Sequence, residues 1–549
     1  MHFTLPLGIV LVSFTAAPLL EAQCEFQRID PTNGSAADGF GSAVAVSGDR
    51  VLVGAPEHDS VAAEAGAAYI YENVGGTWVE QLLTASDGAA MDAFGLSVAI
   101  DGDLAVIGAP ADTPFGFNSG SAYVFERIGG TWTEVQKLTA SNGILGDLYG
   151  ISVSIEGDRI IVGACQVSSF QFFGFGNGRI FVYERSGGTF QETQIITASD
   201  GAPGDRFGVN HDAEGDLLLI SAENKDITGP TSGAAYLFEY SGGTWNELDR
   251  IEPSDGVGGD FFSMGLALEN GTAVCGSPNH AANGNNSGAL YVFERSGSTW
   301  NETQKLLAGT GSAEDWLGRW VRFENGVIWS GAHSNNQSKT GSLHTWSNDG
   351  SAWVEGSSFV PTDAVVGDQH GYAFDVDGSR LMVGSRRASR AGATYEYSSV
   401  LSVIAPAGCD LNPAGSIALV SGDSVIGSSM TISLHNPIGT QTPGATLPIV
   451  AISNQILSLP NGCGLPFGWD MTGGGMGELL IDPGTLIAPS PIVLAPWTGT
   501  PVETTLDMPP SCALIGTDVV VQGVMLDTAA GPGDVKFALT RGLYVLLGQ

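Results

Sequence analysis

A single motif, recurring at an almost constant interval, decides what this chain can fold into. Its copies begin at Asp38 (DGFGSAVAVSGDRVLVGAP), Asp92 (DAFGLSVAIDGDLAVIGAP), Asp147 (DLYGISVSIEGDRIIVGAC) and Asp205 (DRFGVNHDAEGDLLLISAE). Three more begin at Asp260 (DFFSMGLALENGTAVCGSP), Asp315 (DWLGRWVRFENGVIWSGAH) and Asp368 (DQHGYAFDVDGSRLMVGSR). The starts lie 54, 55, 58, 55, 55 and 53 residues apart. One unit repeated at this period points to a propeller or a solenoid.

Each unit holds four strand patterns. In the second copy GLSVAI (95–100) alternates, LAVIGA (104–109) is a nearly continuous apolar run, SAYVFE (121–126) is aromatic and β-branched, and WTEVQKL (132–138) alternates again. An apolar period of two, with glycine recurring at the turns, argues against helix. Four short antiparallel strands make one propeller blade. The aromatic after the hairpin turn occurs only six times, at Trp78, Trp132, Phe190, Trp245, Trp300 and Trp353. The missing strand stands at the other end of the array. CEFQRIDPTNGSAADGFG (24–41) aligns without a gap on WVEQLLTASDGAAMDAFG (78–95), with Cys24 in the tryptophan's place and Phe26 two residues on. The expectation is an all-β chain whose residues 24–400 form a seven-bladed β-propeller of four-stranded blades, closed by the N-terminal strand that carries Phe26. Such closure removes two exposed sheet edges.

Within the motif, Gly41, Gly95, Gly150, Gly208, Gly318 and Gly371 occupy the fourth position, with Ser263 in the fifth copy. A glycine there permits a tight turn or a close approach between blades. The seven aspartates Asp38, Asp92, Asp147, Asp205, Asp260, Asp315 and Asp368 read as turn carboxylates that accept backbone N–H groups. The alternative is a ring of carboxylates facing a ligand or cation. Asp101 and Asp103 flank a two-residue hairpin, and too few oxygen ligands surround them to enclose calcium. No metal and no cofactor are expected.

The FG…GAP pattern resembles the FG-GAP repeats of integrin α-subunit heads, and more closely the calcium-free FG-GAP arrays of secreted bacterial proteins. Phe40-Gly41 with Gly54-Ala55-Pro56, and Phe94-Gly95 with Gly108-Ala109-Pro110, match the two ends of that pattern. The resemblance implies a seven-bladed propeller at the cell surface, engaged in adhesion or ligand recognition. Some blades of that family carry calcium between the two elements. Here that loop is cut to DGD or SGD.

Charge and the chain ends narrow the setting. Aspartate and glutamate number 58 against 21 lysines and arginines, a formal charge of −37. Such a field opposes binding to nucleic acid and to anionic membranes. Residues 1–22 read as a secretory signal peptide, and no later stretch is apolar enough to span a bilayer, so the expectation is a secreted or surface-associated protein. Cys165 and Cys275 fall in separate repeats as buried thiols, while Cys409, Cys463 and Cys512 offer one disulfide pair in the C-terminal region. Residues 402–549 leave the repeat. Strands such as SMTISLHN and DVVVQGVMLD, parted by Gly, Pro and Asn turns, suggest a separate β-sandwich-like domain.

The loops after each GAP are unequal, and variable loops on a rigid ring are where recognition is placed. SSFQFFGFG (168–176) is the lead, with Phe170, Phe172, Phe173 and Phe175 able to stack on a sugar or peptide, or else to fold inward as cover. His211, His333 and His370 are candidates for a site only if the ring brings them together. No HExxH, GxSxG or phosphate-binding loop is present. Two functions are weighed: a non-enzymatic propeller that binds an extracellular glycan or protein, and a polysaccharide- or ester-cleaving enzyme with its site on one propeller face.

Overall fold

The computed structural model describes residues 25–398, apart from 36, 167–175, 335–338, 362, 379 and 387–391, and a set of strands between 403 and 546. The signal-like segment 1–22, Phe170, Phe172, Phe173, Phe175, and the cysteines Cys24, Cys409, Cys463 and Cys512 lie outside the described residues. Residues 25–399 form one compact unit.

Seven four-stranded antiparallel sheets make up this unit. Its first strand, β1, spans Glu25–Ile29. The first blade then runs through β2 (Ala43–Ser47), β3 (Arg50–Ala55), β4 (Ala67–Val74) and β5 (Thr77–Leu83), paired in chain order. The next five blades repeat this order. The second strand of each blade is packed on both faces by the neighbouring blades, which is why VLVGA, AVIGA and IIVGA read as unbroken apolar runs and are buried throughout. The fourth strand has one wet face and alternates, as in TWTEVQKL.

The core lies between blades. One cluster joins Ala43, Leu52 and Ile70 of the first blade to Phe94, Ile107, Tyr123 and Trp132 of the second. Phe94 meets the rings of Tyr123 and Phe125 edge-on, with centroids 5.5 and 6.1 Å apart. The equivalent Phe40, Tyr149, Phe207, Phe262 and Leu317 are likewise fully buried. At roughly 1.5–3 kcal/mol for each large apolar side chain removed from water, these interfaces supply the main drive for assembling the ring.

At the rim, polar side chains complete the contact between blades. The Gln81 amide receives the N–H of Trp132 at 3.0 Å and donates to its carbonyl at 2.8 Å. Gln136 treats Phe190 in the same way, Gln194 treats Trp245, and Gln304 treats Trp353. In the seventh blade the strands are His370–Asp377, Arg380–Ser385 and Ala393–Ser398. The fourth strand of that sheet is β1, with Arg28 opposite Tyr395 and Ile29 opposite Thr394.

The inner hairpin turns are tied to one another by carboxylates. Asp377 accepts the Gly48 N–H (2.5 Å), Asp101 that of Gly157 (2.7 Å), Glu214 that of Asn270 (2.8 Å), Glu269 that of Asn325 (2.7 Å) and Glu324 that of Gly378 (3.0 Å). Asp103 pairs with Arg50 at 2.9 Å. Asp101 and Asp103 therefore both spend their charge on a neighbouring blade. Burial, joined by the nearby Asp375, Asp377 and Glu269 carboxylates, pushes Glu324 from its ordinary 4.5 up to about 7. The folded state thus holds a proton there that the unfolded chain has released. The stability this adds is fully present below pH 4.5 and is lost as pH rises through 7. Replacing Glu324 by glutamine is expected to flatten the fall in unfolding midpoint between pH 5 and 7.5. After allowance for solvent screening of this half-buried group, the difference from wild type across that window is about 1 kcal/mol. Parallel denaturant titrations at the two pH values measure it, and identical pH slopes for the two proteins would contradict it.

Beyond Ser399 the described residues are strands alone, arranged in six-, three- and two-stranded sheets within a second unit. Among the described residues no helix is long and apolar enough to cross a membrane.

Candidate binding face

Blade topology sorts the chain onto two faces. The antiparallel order places every DxFG turn, every loop after GAP and every link between blades at one end of the strands. The other end holds short hairpin turns, two residues long as at 48–49 and 75–76, with a four-residue turn at 349–352 in the sixth blade. The first end is the loop face.

The repeated aspartates build its floor. Each accepts the backbone N–H of the residue three positions earlier, at 2.6–2.9 Å in all seven copies. Asp147 also holds Arg179, Asp205 holds Lys225, and Asp315 holds Lys339. This is turn-fixing geometry, and these carboxylates point into their own loops. The residue after each aspartate takes a left-handed conformation, including the non-glycines Ala93, Leu148, Arg206, Phe261, Trp316 and Gln369, with φ between 51° and 59°. Six non-glycine residues forced into this region are a conformational cost that the repeat accepts at each turn.

That kink sets the side chain beside the last position of the same blade's GAP element. Four blades fill the latter with Pro56, Pro110, Cys165 and Pro278, and three fill it with Glu223, His333 and Arg386. In the fourth blade Arg206 pairs with the buried Glu223. In the sixth, the His333 ring lies edge-on to Trp316, 6.0 Å between centroids. It also meets Tyr372 of the seventh blade at 5.2 Å. The Arg319 guanidinium stands over both Trp316 (5.7 Å) and Tyr372 (5.6 Å). Arg386 covers Tyr372 at 4.9 Å, donates to its hydroxyl at 2.8 Å and pairs with Glu57 at 2.7 Å. Arg206 and Arg319 both act electrostatically on Glu223, although the fifth blade separates the fourth from the sixth. The group is therefore gathered near the ring axis.

Electrostatics define its chemistry. Three guanidiniums face two carboxylates, an excess of one positive charge on a chain of net charge −37. Burial, helped by Arg319 and Arg386, pushes His333 down to about 3, so its ring is neutral at any ordinary pH. Among the described residues neither of its buried ring nitrogens has a hydrogen-bond partner. Burial pushes the Cys165 thiol up to about 11 despite the Arg206 guanidinium beside it, which keeps it protonated and inert as a nucleophile. Cys165 and Cys275 are both free and buried.

His211 and His370 do not join His333. His211 sits in a blade interface, with Ser152 Oγ 3.0 Å from Nδ1 and Ser154 Oγ 2.9 Å from Nε2. His370 occupies the column filled elsewhere by Phe40, Phe94 and Tyr149, and is packed edge-on against Tyr395 and Tyr397. A fourth histidine makes a different arrangement. Ser342 Oγ lies 2.9 Å from His344 Nε2, and Glu355 Oε1 lies 3.0 Å from His344 Nδ1. Glu355 also receives the Gly309 N–H at 2.6 Å, the tie that Glu302 makes with Ser254 one blade earlier.

The axial group escaped sequence reasoning because its members come from four blades and match no motif. A signal was available, since Glu223, His333 and Arg386 are polar departures in a column otherwise held by proline or cysteine. Among curated proteins none matches this chain. The FG-GAP repeat family matches it five times, at residues 24–71, 78–125, 132–183, 190–238 and 245–293. The chain carries five FG-GAP repeats within a seven-bladed β-propeller.

Proposed function

We propose that this protein is an exported, non-enzymatic binding or adhesion-type propeller that recognises an extracellular glycan or protein, and not nucleic acid, through its loop face. One observation carries the reading: the departures from repeat symmetry collect on that face, while the opposite face keeps short hairpin turns, two residues long in all but the 349–352 turn. Rigid elements hold the unequal loops and the axial charged and aromatic group in one place, the usual division of labour between scaffold and site. The expected result is retention on a glycan array or an extracellular-protein panel that falls at least tenfold with Trp316→Ala. Ile128→Ser, an exposed change on the opposite face, is expected to leave retention unchanged. Equal loss with both variants would contradict the assignment of the face.

We infer also that β1 is the strand that closes the ring, and that residues 402–549 are a separate β-sandwich. The closure is supported by the β1 register, by Thr32 donating its N–H to Glu80 at 3.0 Å, as Ser86 does to Glu134, and by a first matched repeat that begins at residue 24. The sandwich is supported by multi-stranded antiparallel sheets among the described strands of that unit.

The Ser342–His344–Glu355 geometry favours a second reading, an ester-cleaving enzyme. It ranks below the first because His344 is buried and Glu355 already serves as a blade tie. Turnover of a p-nitrophenyl ester that disappears in Ser342→Ala would replace the non-enzymatic reading.

A further inference from the structure

Most cations near the axis are matched to anions. Arg206 has Glu223, and Arg386 has Glu57 and the Tyr372 hydroxyl. Arg322, lower in the ring, has Asp375 at 2.8 Å. Arg319 differs. It is half-buried, and among the described residues it has neither a hydrogen-bond acceptor nor a carboxylate within ion-pairing distance; only the faces of Trp316 and Tyr372 hold it.

A guanidinium stripped of part of its water and given no acceptor leaves N–H donors unspent, which is costly. The same arrangement is preorganised for a carboxylate, whose two oxygens match the guanidinium fork. The rings fix the plane of the fork, so little side-chain freedom is lost on binding. His333 itself is buried, so a ligand meets the accessible parts of the Arg319 fork and of Trp316. Trp316, partly exposed, adds a flat apolar surface on which a sugar ring rests. An unspent fork beside an aromatic face describes a sugar that carries one carboxylate.

We propose that Arg319 anchors a uronic-acid-binding site near the propeller axis on the loop face. This rests on the binding-module reading and names its ligand class. The surrounding charge of −37 opposes long polyanions. The site accordingly takes a free uronate or a terminal uronate unit in preference to the interior of a polyuronate.

Calorimetric titration of the full chain with sodium glucuronate tests it, alongside glucose, inorganic phosphate and trigalacturonate. Glucuronate is expected to bind with a dissociation constant of roughly 0.1–1 mM, and glucose not at all. Arg319→Gln and Arg319→Lys are each expected to weaken glucuronate at least tenfold, the lysine because it keeps the charge and loses the fork. Unchanged thermal midpoints certify that both variants are folded. Trigalacturonate binding through Arg319 places the recognised unit at a chain end, whereas binding of the monosaccharide alone places it in a free sugar. Both results support the site. Full affinity in Arg319→Gln, phosphate binding as well as glucuronate, or no heat with glucuronate up to roughly 20 mM would overturn it. In any of these cases, loop-face binding to a neutral glycan or a protein that Trp316→Ala abolishes would leave the binding-module reading standing.

Discussion

Replacing Gly95 by alanine is expected to lower the thermal unfolding midpoint by about 10 °C, corresponding to roughly 4 kcal/mol. Two costs add at this position. Its φ of +92° is a conformation that L side chains rarely adopt. A Cβ there would also run into the Ala67 carbonyl oxygen of the preceding blade, a backbone atom that cannot swing away. Gly54 faces the same junction from the other side, where a Cβ would strike the Gly95 carbonyl. Gly102→Ala separates the two costs, because Gly102 has φ +55° and nothing within 4 Å of its missing Cβ. That variant is expected to lose only about 1 kcal/mol. Equal midpoints for Gly95→Ala and Gly102→Ala would refute the claim that backbone approach between blades is the limiting contact. One junction of the ring already lacks the glycine pair. Ser221 and Ser263 stand there together, with their hydroxyls 3.0 Å apart, and Ser263 Oγ donates to the Ala234 carbonyl at 2.7 Å. A polar hydrogen thus turns a clash into a bond, and Ser263→Ala is expected to cost more than Ser263→Gly.

The propeller was legible because repetition magnifies weak signals. One LAVIGA run is ambiguous between a buried strand and a piece of helix. Seven such runs at one period, each followed by an aromatic strand, are not. The close glycine approach was legible for the same reason. The left-handed residue after each aspartate was not, because Leu148, Arg206, Phe261 and Trp316 carry no turn signature of their own. Their conformation is imposed by the aspartate's bond to the chain and by the bridge between blades, as with Gly120 and Tyr149. His370 misled in the opposite direction. As a lone histidine it suggested chemistry, whereas its column, shared with Phe40 and Phe94, identifies it as packing. The axial group was hidden by the habit of reading along the chain. Arg206, Arg319 and Arg386 lie far apart in sequence, and only the circular order of the blades brings them together. Repetition that reveals a fold conceals a site, unless each column is searched for the members that break it.

Removing β1 by starting the chain at Asp30 is expected to cost more stability than any surface change, at least about 10 °C in unfolding midpoint, and to convert a monomer into a self-associating species. The argument is one of edges. Without β1 the strand Ala393–Ser398 loses one of its two hydrogen-bonding partners and becomes an edge. Ile29, only 4 % exposed, leaves a cluster shared with Phe40, Val44, Tyr69 and Met382, so the first and seventh blades both lose part of their core. Arg28 takes with it an ion pair to Asp363 at 2.6 Å and its contact with the Tyr395 ring. Burial of the isoleucine alone is worth roughly 2–3 kcal/mol. The loss of pairing is the larger effect, because an open blade presents unsatisfied backbone groups to any other chain that can offer a strand. Sedimentation across a concentration series reads the association. A synthetic peptide spanning residues 25–34, supplied in trans, is expected to restore both the monomer and most of the midpoint, since it returns the same register against Thr394–Tyr397. A truncated chain that stays monomeric with an unchanged midpoint would mean that the three remaining strands of the seventh blade suffice, and that β1 lies against the ring without closing it.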